Sequence, residues 1–252
     1  MPPDRIQLSQ EILVAAIGDS WPKDQIDAVV ELLAGGDGCF PSGARKLPPD
    51  LVRAVQRQRL IVAMLKAASE LGYRGTNVQD VIDRAGVSRP TFYEHFSNKE
   101  DCFLAAFDTS AQRLRDKLEA AALPGGEVWR DRLRFSLVAL LEFAAAEPDT
   151  ARAMIVEARA GSADAVMRRV ELLDHFATCL DAQVRELLPA APAFSMTTAT
   201  GIIGGVESLL YARLCKGEHD DFGSLLPSLM YFVVLPYEGH EAAAEELSVE
   251  AP

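Results

Sequence analysis

Residues 76–99 carry two short helix patterns joined by a glycine, and this stretch restricts the possible folds more than any other part of the chain. Gly86 separates the patterns, because the residue after a helix end often takes positive φ, which glycine adopts without steric cost. Ser88 is a favoured N-cap for the second helix, and Pro90 fits its first turn. The first helix has one apolar face at helical spacing: Val78, Val81, Ile82 and Ala85.

The second helix has two distinct faces. Phe92 and Phe96 lie one turn apart and are predicted to face inward. Two short helices with such a turn form the helix-turn-helix motif, whose second helix enters the major groove of DNA. The bare pattern also fits an ordinary helical hairpin in a protein core. Four side chains are left to face another molecule: Arg89, Thr91, Tyr93 and His95.

Two capping boxes are predicted at the ends of this stretch. Thr76 with Gln79 would begin the first helix, and Ser97 with Glu100 would begin the helix that follows the motif. In such a box each side chain bonds the backbone of the other residue.

The charge of the chain is distributed unevenly. The net charge is −12, which by itself argues against a nucleic-acid partner. From Arg45 to Lys99, however, ten Lys and Arg stand against five Asp and Glu, a net of +5, while the remainder carries −17. A basic segment on an acidic body suits a protein that binds phosphates with one end only. Arg53, Arg57 and Arg59 either reach such phosphates or form a solvated basic face.

Residues 86–100 read Gly-Val-Ser-Arg-Pro-Thr-Phe-Tyr-Glu-His-Phe-Ser-Asn-Lys-Glu, and this run resembles the TetR family of bacterial transcription regulators. Ala67-Ala68 and Leu71-Gly72-Tyr73 resemble the end of the first helix of that family. The resemblance is specific over about residues 59–107, is architectural beyond them, and is absent before residue 47. It implies an all-α fold, with an N-terminal helix-turn-helix head and a C-terminal helical body for ligand binding and dimerisation.

The resemblance also implies roles in DNA binding. Arg89 matches a position that reads base edges, and Tyr93, His95 and Lys99 match positions that hold phosphates. For His95 a capped or core-edge position is the alternative. Glu94 is a departure, since a carboxylate near phosphates is repulsive unless it accepts from cytosine or points into solvent. The complete predicted DNA-binding set is Asn77, Gln79, Ser88, Arg89, Pro90, Thr91, Tyr93, His95 and Lys99.

Four segments are predicted along the chain. Residues 1–46 form a helical extension with a linker, residues 47–122 the DNA-binding domain with its connecting helix, and residues 127–237 the ligand-binding and dimerisation domain. Pro124-Gly125-Gly126 marks the break between the last two. Residues 238–252 are rich in Glu and Ala and are predicted to be a disordered acidic tail.

The resembled family has an effector cavity in the body and pairs its last two helices in a dimer. The predicted ligand-binding residues are Trp129, Phe135, Phe143, Met154, His175, Phe176 and Cys179. Glycines inside a helix need a reason, such as close approach of another helix, from a second subunit or from the same one. The predicted dimer residues are Gly201, Gly204, Gly205, Leu209, Leu226 and Met230.

The sequence predicts a cytoplasmic protein with no membrane partner, no metal and no cofactor. No apolar run approaches the length of a membrane span, and the N-terminus lacks a signal-peptide layout. Four scattered cysteines form no metal-binding spacing. Motifs for nucleophiles, phosphate loops and zinc catalysis are missing, so no enzyme is predicted.

The predicted function is a homodimeric regulator, a repressor rather than an activator. It would bind a palindromic double-stranded DNA operator and be released by a small apolar or amphipathic effector. The alternative is a helical interaction or ligand-binding protein of the same fold without operator binding.

Overall fold

A computed structural model describes residues 49–122, 126, 128–189, 195–217 and 221–249. The predicted N-terminal extension, residues 1–46, lies outside them. The described residues form helices and no strand, so the all-α prediction is confirmed. The α-helices are α1 (Pro49–Leu71), α2 (Val78–Ala85), α3 (Arg89–His95), α4 (Lys99–Ala122), α5 (Trp129–Ala146), α6 (Pro148–Arg152), α7 (Ala158–Ala160), α8 (Ala163–Leu187), α9 (Met196–Lys216) and α10 (Leu226–Glu246).

The chain divides into two units within α4, between Ala106 and Phe107, rather than at the predicted Pro-Gly-Gly break. The start of α4 belongs to the first unit, where Cys102, Phe103 and Ala106 are fully buried. Because a continuous helix can supply one core with its first turns and another with its later turns, a break in helical sequence need not mark a domain boundary.

The first unit, called the head below, is built on a small apolar core. Leu60 and Met64 of α1 and Phe92 of α3 are 0% exposed, and Phe103 of α4 is 1% exposed. The Phe103 ring lies 4.6 Å from the Tyr73 ring. Phe96 is also buried, so the predicted inward orientation of both α3 phenylalanines is confirmed.

The residue that caps each of the two helices with a predicted capping box lies one position later than the sequence pattern indicated. The N-cap of α2 is Asn77, whose Oδ1 accepts the Gln79 and Asp80 amides at 2.8 and 3.2 Å, while Asp80 accepts the Asn77 amide at 2.8 Å. Thr76 is not the N-cap, and its hydroxyl donates instead to the Gly72 carbonyl at 2.9 Å.

The helix after the motif shows the same displacement. Asn98 accepts the Asp101 amide at 2.9 Å, and Asp101 accepts the Ser97 amide at 2.8 Å, so α4 begins at Lys99. Asn and Asp serve as well as Ser and Glu at such positions, which makes neighbouring boxes hard to distinguish in sequence.

In the second unit, called the body below, α10 packs its apolar face inward. Leu229 and Met230 are 0% exposed and Leu226 is 2% exposed. The predicted dimer roles of Leu226 and Met230 are therefore wrong, because side chains enclosed in their own subunit cannot contact a second copy. Leu209 of α9, by contrast, is 42% exposed.

The glycines of α9 differ in their surroundings. A Cβ on Gly205 would lie 2.7 Å from the Phe232 ring of α10, so this glycine permits close packing within the subunit. A Cβ on Gly201 or Gly204 would meet no described atom within 4 Å. These two positions leave an open strip on the outer side of α9.

The predicted disordered tail is wrong for residues 238–246, which continue α10 beyond a kink. Pro236 lies inside the helix, and Gly239 has φ 85° and ψ −178°, a conformation essentially restricted to glycine. Beyond it, Ala243 is 0% exposed and the Glu246 carboxylate pairs with Arg130 and Arg134 of α5. Burial of small side chains and this ion cluster hold the segment in place.

A π-helical turn, Ala153–Glu157, separates α6 from α7. The Ala158 amide donates to the Ala153 carbonyl, five residues earlier, where an α-helix would bond four residues back. The turn therefore holds one more residue than an α-helical turn does, and such turns often occur at functional sites.

Candidate DNA-binding surface and ligand cavity

The turn between α2 and α3 is fixed by backbone conformation and caps. Gly86 takes φ 61°, and its amide and that of Val87 both donate to the Ile82 carbonyl, which closes α2. Ser88 then accepts the Thr91 amide at 3.2 Å and begins α3. Only three residues separate the two helices, so α3 is held in one orientation on α2.

The outer face of α3 is exposed as predicted. Arg89 and Pro90 are exposed, and Tyr93 is 50% exposed beside the fully buried Phe92. The Thr91 hydroxyl lies 2.8 Å from the Ser88 hydroxyl, so part of its hydrogen bonding is used at the cap. Helix α3 thus offers a guanidinium in its first turn and a phenol in its second, on an anchored backbone.

Basic residues of α1 lie beside the end of α3. The Arg57 guanidinium lies 4.8 Å from the centre of the Phe96 ring, and His95 Nε2 lies 3.5 Å from Gln56 Oε1. Burial, followed by the charges of Arg53 and Arg57, lowers the pKa of His95. The positive charge in this region therefore comes from the two arginines, while His95 is predominantly neutral near pH 7.

Three other residues predicted to contact DNA are engaged within the head. Asn77 is the N-cap described above, and the Gln79 side chain donates to Asp83 at 2.8 Å. The Lys99 ammonium donates to the carbonyls of Tyr73 and Thr76, both at 2.9 Å. These bonds give Asn77 and Lys99 structural roles that the sequence pattern did not indicate.

The body encloses a cavity of about 830 Å³ with a mainly apolar lining. Its walls come from α4, α5, α6, the π-helical turn, α8, α9 and α10. Ligand sites of about 300–1,000 Å³ with apolar walls and few polar groups are typical of small-molecule binding. Among the described residues, no group of three or more His, Cys, Asp or Glu is placed to hold a metal ion.

The structure brings five of the seven predicted ligand-binding residues to the cavity: Phe143, Met154, His175, Phe176 and Cys179. Trp129 and Phe135 do not line it. The Trp129 indole is 3% exposed and packs edge-on against Tyr237 at 5.6 Å, so it belongs to the core between α5 and α10. The Cys179 sulfur lies 3.7 Å from His175 Nε2, and burial raises the pKa of this thiol.

A buried ion cluster at the cavity was missed by the sequence analysis. Glu207 is 6% exposed and pairs with both Arg159 and Arg169. A glutamate in a helix is usually taken for a solvated residue. Its spacing in the sequence does indicate burial, because Glu207 shares the inward face of α9 with Ile203, Val206 and Leu210.

The described helices include none long and apolar enough to cross a membrane.

Known proteins resemble the chain in both sequence and fold. Residues 60–106 match the family model for bacterial regulatory proteins of the tetR family. The transcriptional activator FasR of Mycolicibacterium smegmatis is 30% identical over 103 residues, which are 41% of this chain and 47% of FasR. The repressor KstR of the same organism is 34% identical over 80 residues, 32% of this chain and 39% of KstR. The chain thus matches less than half the length of these relatives.

Solved structures share the fold over a larger part of the chain. The fatty acid degradation regulator FadR of Bacillus halodurans gives a TM-score of 0.64 at 20% identity, covering 76% of this chain and 96% of that protein. FadR of Bacillus subtilis, solved in complex with stearoyl-CoA, gives a TM-score of 0.61 at 20% identity, covering 72% of this chain and 98% of that protein. The family model, the curated relatives and the solved structures all point to the TetR family of bacterial transcriptional regulators, whose members are a non-enzymatic class of protein.

Proposed function

We propose that this protein is a cytoplasmic homodimeric repressor that binds a palindromic DNA operator through α3 and releases it when an amphipathic effector fills the body cavity. The observation that carries the proposal is the anchored outer face of α3. Phe92 fixes the helix from below, Ser88 fixes its start, and Arg89 and Tyr93 remain exposed.

The chemistry of this face suits the major groove. An arginine can donate two hydrogen bonds to guanine O6 and N7, which discriminates bases by about 1–3 kcal/mol. Arg53 is exposed on α1, close enough to His95 for its charge to lower the pKa of that imidazole. It can contribute to the phosphate contacts that position the protein along the duplex.

The small size of the surface that reads the DNA favours a dimer. Helix α3 has only seven residues and contacts few base pairs, whereas two heads on a two-fold axis read half-sites about 34–36 Å apart. The outer side of α9 and α10 supports such a contact. Gly201 and Gly204 leave open space there, and Leu209 and Phe232 are 42% and 38% exposed.

The effector role rests on the cavity and on α4. Gln112, Leu114 and Leu118 of α4 line the cavity, and the same helix begins in the head. A ligand that fits one position of α4 better than another shifts the population of head positions and so changes operator affinity. FadR of Bacillus subtilis binds stearoyl-CoA, and we propose an effector with a comparable apolar chain.

Replacement of Arg89 by alanine is expected to weaken operator binding about 10- to 100-fold and to relax the preference at one base position. The operator would first be selected from random duplexes by the purified protein at physiological salt. Affinities of wild type, Arg89→Ala and Tyr93→Ala would then be compared by fluorescence anisotropy. Arg185→Ala is the control, because its side chain is exposed in the body. Equal losses in Arg89→Ala and Arg185→Ala would contradict the proposed reading face.

Replacement of Val206 by tryptophan is expected to block the effector while leaving operator affinity unchanged. Val206 is buried in the cavity wall, so the indole would occupy the space that an acyl chain needs. Release of the operator by stearate and by stearoyl-CoA would be titrated for both proteins. Val206→Trp is expected to need at least about a tenfold higher effector concentration than the wild type for half-release. Ala182→Trp, on the exposed face of α8 outside the lining, is the control. A wild-type response in Val206→Trp would exclude this cavity as the effector site.

A further inference from the structure

We infer that the cavity recognises the carboxylate of a long-chain carboxylic acid, and that Arg169 is the residue that binds it. The inference rests on the proposed effector role of the cavity and names the chemical class of the effector. Neither the family resemblance nor the solved neighbours assign a head-group site in this chain. The support comes from the ion cluster around Glu207.

The geometry of the cluster is well defined. Arg169 donates from Nε to Glu207 Oε1 at 2.9 Å, and one of its terminal nitrogens lies 2.8 Å from the same oxygen. Arg159 donates to the other carboxylate oxygen, and its guanidinium lies 4.2 Å from the centre of the Tyr211 ring. The side chain of Glu207 is 7% exposed and that of Arg169 is 18% exposed.

The charges of the cluster do not balance. Two guanidinium groups share one carboxylate, so a net positive charge remains next to an apolar cavity. Buried charges are costly unless they are paired, and the cost falls when the last charge finds a partner. A ligand carboxylate would supply that partner and make the cluster neutral.

The two arginines differ in their access to the cavity. Arg169 and Glu207 line it, whereas Arg159 does not. Within the described part of the chain, Arg169 pairs only with Glu207, through a hydrogen bond from Nε and the ion-pair contact of one terminal nitrogen, and its other terminal nitrogen has no protein acceptor. A bidentate or charge-assisted bond from that group to a carboxylate would fix the orientation of an otherwise apolar ligand.

The other charged residues of the lining suit an anion less well. Asp116 and Glu119 of α4 are exposed at the cavity, and both would repel a carboxylate. Arg115 already bonds Gln112 on the same helix, and Arg132 bonds the Gly126 carbonyl. Around Arg169 the lining is buried and apolar, with Leu172, Val206 and Leu210.

The test compares ligands that differ only in the head group. Binding of dodecanoic acid, 1-dodecanol and dodecanoyl-CoA to the full chain would be measured by calorimetry without DNA. The wild type is expected to bind the acid about 10- to 100-fold more tightly than the alcohol, the gain of a charge-assisted hydrogen bond. Arg169→Gln should bind the acid and the alcohol about equally. Arg159→Gln is the matched variant, because it also removes one partner of Glu207; it should lower the ratio less than Arg169→Gln does, since Arg159 does not line the cavity and acts only through the charge of the cluster.

Glu207→Gln gives a prediction of opposite sign. Removal of the competing carboxylate should raise the acid-to-alcohol ratio above that of the wild type. Because each readout is a ratio within one variant, a general loss of stability does not imitate the result. Equal binding of acid and alcohol to the wild type, binding of neither, or an equal loss of the ratio in both arginine variants would overturn the inference.

Two further outcomes separate this inference from the proposed function. Tight binding of dodecanoyl-CoA that does not depend on Arg169 would overturn the carboxylate site while leaving an effector cavity. Carboxylate selectivity in a protein that enriches no operator from random duplexes would support the inference and contradict the regulator.

Discussion

Phe92→Ala is expected to unfold the head, at a cost of about 3–5 kcal/mol in its free energy of unfolding. The Phe92 ring is 0% exposed and lies 5.9 Å from the Phe96 ring, in the core to which α1, α3 and α4 contribute. A small core cannot close the resulting cavity, and total stabilities of domains are only about 5–15 kcal/mol. Operator binding should be lost with the fold.

The measurement separates the two units by their signals. In a Trp21→Phe background Trp129 is the remaining tryptophan, and its buried indole reports on the body. Phe92→Ala should lose helical circular dichroism at low denaturant and keep the Trp129 transition. Tyr93→Ala is the matched control. Tyr93 is the next residue in the chain, its side chain is half exposed, and its loss should affect DNA binding alone. Unchanged helix content in Phe92→Ala would contradict the assigned core.

Glu246→Ala is expected to destabilise the body by about 3–5 kcal/mol, the usual cost of removing one partner from a buried ion pair. The Glu246 side chain is 4% exposed, and that of its partner Arg134 is 12% exposed. Arg130 also pairs with Glu246, at 3.4 Å. The change would leave positive charge uncompensated against α10, and the residues after the Gly239 kink should detach from α5.

Glu245→Ala provides the control, because it removes the same chemical group from the next position. Its side chain is 68% exposed and bonds Arg130 at 2.9 Å, and exposed pairs contribute about 0–1 kcal/mol. Thermal denaturation and hydrogen exchange of residues 240–246 would compare the variants. Equal effects of the two substitutions would show that this segment is not held by the buried pair.

The head was the most predictable part of the molecule, because its signals are local. Gly86 ends a helix by its own backbone conformation, and the spacing of Phe92 and Phe96 alone decides which face of α3 is inward. The caps were misplaced by one residue, since Asn77 and Asn98 serve as well as the neighbouring Thr76 and Ser97. Local chemistry thus predicts the presence of a helix more reliably than it predicts the residue at which the helix begins.

The body was less predictable, because its features depend on distant partners. Glu246 looked like part of a charged tail until Arg130 and Arg134 were found against it, more than a hundred residues earlier. The position of Trp129 predicts a ligand contact, but its indole is buried in the core and packs edge-on against Tyr237. Helical spacing identifies an apolar face and does not say whether a cavity, a core or a second subunit covers it.

The π-helical turn in the cavity wall has a consequence for how such a cavity can change size. Met154 and Ile155 of this turn both line the cavity, whereas an α-helix places adjacent residues about 100° apart around its axis. Deletion of one residue from the turn would restore the four-residue bond and remove one side chain from this part of the wall, while the residues that follow, among them Arg159, would keep their orientation. Insertions and deletions of single residues can therefore reshape the binding volume of this fold, in addition to the exchange of side chains.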